Sequence, residues 1–207
     1  DVWYDARHGF NAGASLKMNL LQMAAARLKR DERRLQLEKT ISLKELVIEE
    51  EWNDFKTSGE LRFKLNEELF AQDYPSHYCR QILELRCTCP GLLGPYQNIR
   101  ATLVQLGSSI VVEPNIAAVK SLFEGVASTD SGSLVENLRP HQQIVLSRGL
   151  DENGIAERGG DDRYLPYEGT GCHSSWQLTF PRAAQPGQAS LLRSLTDIIV
   201  TITYQAR

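Results

Sequence analysis

One stretch gathers the residue types of covalent chemistry. In "RYLPYEGTGCHSSWQLTFP", Arg163 to Pro181, Cys172, His173, Ser174, Ser175 and Glu168 stand close together. A nucleophile, a base and an orienting carboxylate are what covalent catalysis needs, with nucleophile and base about 3 Å apart. Neighbours in an extended strand point to opposite faces. If this stretch is a strand, Cys172 cannot face His173, and Ser174 and Ser175 diverge in the same way.

Other chemistry is weaker still. The four histidines, His8, His77, His141 and His173, have no metal-ligand spacing, and none of the four cysteines forms a C-x-x-C pair. Cys87 and Cys89 lie two apart in an apparent strand and read as small hydrophobes on one face. Asp161, Asp162 and Glu168 lack the every-second-residue rhythm of a hard-cation loop. Walker, dinucleotide, zincin and nucleophile-elbow motifs are absent. The sequence therefore nominates no catalytic residue, no metal ligand and no cofactor.

The rest of the chain supplies the elements that position these residues. The chain has 207 residues, with 42% hydrophobic and 24% charged, and a net charge of −3. Such a chain buries a sizeable core and offers no general attraction to nucleic acid. No apolar run reaches the roughly 18 residues of a membrane helix. It starts at Asp1 without Met and reads as part of something longer. Low cysteine density argues against a disulfide framework.

Helix-favouring composition without Gly or Pro predicts one long amphipathic helix over Ser15–Lys39, about 38 Å at 1.5 Å per residue. Leu21, Leu28 and Leu35 recur every seven residues, a narrow stripe suited to packing against other helices. Ser42 and Glu45 form a capping box that opens a short helix fading at Gly59. A domain boundary therefore falls between 1–41 and 42–207.

Beyond Gly59 the apolar period becomes two. Predicted strands bury Leu61, Phe63 and Leu65; Leu83, Leu85, Cys87 and Cys89; Ile99, Ala101 and Leu103; Trp176, Leu178 and Phe180; and Ile198, Val200, Ile202 and Tyr204. "SSIVVEP" and "QQIVLSRGL" add shorter ones. "NEELFAQDYP" reads as a helical turn stopped by Pro75, with further helices near Asn115–Phe123 and Gln188–Leu195. Gly125–Gly132 reads as a loop. Short alternating strands separated by turns predict a mainly β fold, an antiparallel β-sandwich with short helices.

"QDYPSHYCRQI", "GPYQNIRATL", "RYLPYEGTG..SSWQLTFP" and "LTDIIVTITY", in this order, resemble the C-terminal end of the A component of Tc toxin complexes. "LLQMAAARLKRDERRLQLEKTISL" resembles the stretch before it. The likeness runs from about residue 10 to 205. It implies a segment of a very large, secreted, pentameric toxin whose helices form a channel driven through a target membrane. It implies that 42–207 is a sandwich at the channel entrance, where the B component, carrying the C component's toxic enzyme, docks without direct membrane contact by this segment. The family usually has Gly where this chain has Ser76.

Loops at one end of a sandwich are natural contact points, and exposed Tyr and Arg are natural anchors. The expected contacts are Gly94, Pro95, Tyr96, Asp162, Arg163, Tyr164 and Tyr167. In the competing account, Tyr96, Tyr164 and Tyr167 pack at the sandwich edge. Two other function classes are carried: a carbohydrate- or receptor-binding sandwich, with Trp176 as its one candidate platform, and a hydrolase built on Cys172 and His173.

Overall fold

A computed structural model describes residues 12–29, 33–91, 100–124, 132–136, 143–145, 155–156 and 167–207. The chain divides into two compact units, one ending at Arg34 and the other running from Leu35 to Arg207.

The first unit contains helix α1, Ala12–Lys29. Leu16, Met18, Leu20, Leu21 and Met23 on it are all exposed. The expected helix is therefore too long. Residues Leu35–Ser42 form strand β1, antiparallel to β9, Ile199–Ala206. Pairing explains the correction. In a strand, Leu37 and Ile41 fall on one face and are buried there, opposite Tyr204 and Val200. Four residues apart, they would share a face in a helix too, so the pairing with β9 decides, and tertiary burial overrides a weak helix propensity. Leu35 thus leaves the Leu21–Leu28–Leu35 helix stripe and begins a strand. Leu21 is exposed on α1, and the side chain of Leu28 lies outside the described residues.

The second unit is a sandwich of two antiparallel sheets. The first orders β1, β9, β3 (Gln81–Thr88) and β7 (Ile155–Ala156). The second orders β2 (Glu60–Leu65), β8 (His173–Thr179), β4 (Thr102–Val111) and β5 (Leu134–Glu136), with β6 (Gln143–Val145) also on β4. The mainly β expectation holds. Leu61, Phe63 and Leu65 alternate inward on β2, and Ile198, Val200, Ile202 and Tyr204 are buried along β9 and its approach. Between the sheets Trp176 stacks on Phe63 at 6.4 Å, and Phe70 meets the edge of Tyr204 at 5.2 Å. Burying each such side chain contributes roughly 1.5–3 kcal/mol.

Two bulges change what alternation predicts. In β3 the register slips between Ile82 and Glu84, so Leu83 is the extra residue. Ile82, Leu85 and Cys87 face Tyr204, Ile202 and Val200, which moves Ile82 into the core in place of Leu83. In β4 a slip between Gln105 and Gly107 lets one strand continue where Gly107 suggests a break between two.

The register assigns the connections to two ends. At one end β1 and β3 finish, with Ser42 and Thr88 both opposite Ile199. There β2 and β4 begin, with Glu60 and Thr102 both opposite Thr179. Helices α2 (Leu43–Leu46), α3 (Glu49–Ser58) and α6 (Pro186–Ser194) belong to this end. Ser42 caps α2 as expected, its Oγ accepting from Glu45 N at 3.2 Å. Trp52 and Phe55 of α3 pack down, with Phe55 5.6 Å from Phe180. The chain then turns at Gly59, where φ is 77° and an added Cβ would meet Ala183 Cβ at 2.6 Å. At the other end β1 begins, and α4 (Glu67–Ala71) crosses between the sheets. Nearby, α5 (Ile116–Glu124) seats Ala118 and Leu122 against Val111. The loop expected at Gly125–Gly132 falls almost wholly outside the described residues.

Candidate functional site

The stretch rich in reactive residue types lies at the α4 end, and the fold takes it apart as chemistry. Strand β8 starts at His173, so its side chains alternate. Cys172 is fully buried, and burial pushes its thiol well above the usual range. His173 sits on the other face, its imidazole held below its ordinary value by burial and then by Lys64. Ser174 Oγ donates to Cys172 O at 2.9 Å and accepts from Trp176 Nε1 at 2.7 Å. A buried thiol with a raised pKa is a poor nucleophile, and the Ser174 hydroxyl is committed to the backbone.

The same residues form a rivet between the sheets. Gly169 N donates to Ile82 O and Ile82 N donates to Thr170 O, both at 2.8 Å. Cys172 N donates to Arg80 O at 3.1 Å. These bonds tie the turn to the start of β3, in the first sheet. Toward the second sheet, Tyr167 Oη donates to Leu103 O at 2.6 Å, and Gln105 Nε2 donates to Thr170 Oγ1 at 3.1 Å. Thr170 Oγ1 in turn donates to Tyr167 O at 2.6 Å. Gly171 passes so close to β4 that a Cβ would lie 2.1 Å from Ser109 O. Each net bond is worth roughly 0.5–1.5 kcal/mol.

Tyr167 is thereby corrected as a contact residue. It is 2% exposed, with its ring edge-on to Trp176 at 4.7 Å. Its φ of 67° places the backbone in the left-handed region, which a bulky residue tolerates when its side chain is fixed. Gly94, Pro95, Tyr96, Asp162, Arg163 and Tyr164 lie outside the described residues. Their flanks are described. Residues 92–99 leave and rejoin at the α3 end, between β3 and β4. Residues 157–166 start beside Cys87, where β7 pairs, and finish at the rivet at the α4 end. Both segments therefore have a flank at the α3 end, and 157–166 has its second flank at the α4 end.

A second polar cluster went unread in the sequence. Arg80, itself buried, pairs through Nη1 with Glu67 Oε1 and donates from Nη2 to Tyr74 O at 2.9 Å. Burial lowers the Arg80 pKa, while Tyr204 and Cys172 raise it. The pair clamps the α4 crossover, and no spacing rule links residues 13 apart across a turn. Ser76, in that crossover, has a φ of 71°, a conformation that glycine adopts at no steric cost. All four cysteines are buried. Among the described residues no three His, Cys, Asp or Glu are grouped to hold a metal ion. None of the described helices is long and apolar enough to cross a membrane.

Fold and site together define a two-sheet module, clamped by hydrogen bonds at one end and capped by helices at the other. The chain belongs to the family of Tc toxin complex TcA C-terminal TcB-binding domains, whose model matches residues 1–206. It is 36% identical over 208 residues to toxin subunit YenA2 of Yersinia entomophaga, covering 99% of this chain and 15% of that protein. The cryo-EM structure of Morganella morganii TcdA4 is 29% identical, with a TM-score of 0.57 over 96% of this chain and 8% of that one. Yersinia pseudotuberculosis TcaA-TcaB, also solved by cryo-EM, gives a TM-score of 0.57 at 24% identity, over 96% of this chain and 11% of that one, and shows the fold alone. The chain spans 15% or less of the length of these relatives.

Proposed function

We propose that this chain is the C-terminal part of a secreted Tc toxin A component and that its sandwich docks the B component. The family match across residues 1–206 carries this reading. The parent protein, on this reading, is a pentamer that inserts a channel into a target membrane. Helix α1 is the end of a channel helix, and five sandwiches frame the channel entrance. The register supports a module held at one end and docked at the other. β1 begins at the α4 end, and residues 92–99, including Gly94, Pro95 and Tyr96, are flanked at the α3 end. Asp162, Arg163 and Tyr164 remain proposed contacts, and Tyr167 does not.

The module works by contact and not by catalysis. The buried Cys172 thiol and the committed Ser174 hydroxyl support this. The carbohydrate- or receptor-binding reading relied on Trp176, which is fully buried, and no observation favours it. The test is the affinity of the parent A component for its cognate B component, measured by biolayer interferometry. Removing Leu35–Arg207 abolishes binding if the reading is right; unchanged affinity refutes it.

A further inference from the structure

We draw no further inference here: the strongest candidate, the apolar face that Ile116 and Phe123 leave exposed on helix α5 beside the buried Ala118 and Leu122, carries nothing because nothing in the structure shows what covers it.

Discussion

Tyr167 separates a contact residue from a structural one. Replacing it with Phe deletes one hydroxyl and keeps the ring against Trp176. The loss is the 2.6 Å bond from Tyr167 Oη to Leu103 O. A buried neutral bond of this kind is worth about 1 kcal/mol net. For a unit the size of the sandwich, that lowers the melting temperature by about 2–4 °C. Replacing Tyr167 with Ala removes the ring as well, leaving a cavity beside Trp176 at a cost of roughly 3–5 kcal/mol. The assay pairs two measurements on each variant: thermal unfolding by circular dichroism, and affinity of the assembled A component for the B component. The expected result is a graded loss of melting temperature with affinity unchanged for Tyr167→Phe. A ten-fold affinity loss in Tyr167→Phe with an unshifted melting temperature would refute the reasoning, because only a side chain touching the partner behaves that way.

Other outcomes follow from the same geometry. Gly171→Ala drives a methyl into Ser109 O and is expected to cost about 3 kcal/mol, the upper part of the overpacking range, read as a lower denaturant midpoint. Ser76→Gly relieves a left-handed φ of 71° and is expected to stabilise by about 1 kcal/mol; a destabilised variant would mean that Ser76 makes a compensating contact. Glu67→Ala leaves the Arg80 guanidinium buried without its carboxylate and is expected to cost roughly 3–5 kcal/mol, checked by urea unfolding. His173 binds its proton less readily folded than unfolded, so its contribution to stability is lost as pH falls through the unfolded value of about 6.5. His173→Gln is expected to flatten the fall in melting temperature between pH 7 and pH 5.

The strands were legible where period two runs unbroken. β2 and β9 bury the residues that alternation selects, because each has one face on the core and one in water. The β3 reading slipped at Leu83 because a bulge leaves no mark in the sequence, and one extra residue inverts every side chain before it. β1 looks helical in sequence because "LQLEK" is built of good helix formers, and its partner β9 lies more than 150 residues later. Tyr167 posed a different problem. A tyrosine in a turn looks the same in sequence whether its hydroxyl faces a partner or a strand carbonyl. Only the fold reveals Leu103 O.

Residue types that support catalysis also make directional ties, and the arrangement decides between the two uses. Catalysis needs a hydroxyl or thiol with a free lone pair beside a base and open to substrate. At the α4 end the opposite holds: Tyr167, Thr170 and Ser174 spend their hydroxyls on carbonyls, and Cys172 is sealed from water. The reason lies in the division of labour between the two ends. At the α3 end Trp52, Phe55 and Phe180 close the sandwich with non-directional apolar contact. At the α4 end the chain arrives through β1, and close approach at Gly171 leaves no room for a side chain between the sheets. Hydrogen bonds with fixed geometry are what can join two sheets there and hold their register against sliding. The chemistry-rich stretch is thus the fastening that keeps the sandwich rigid.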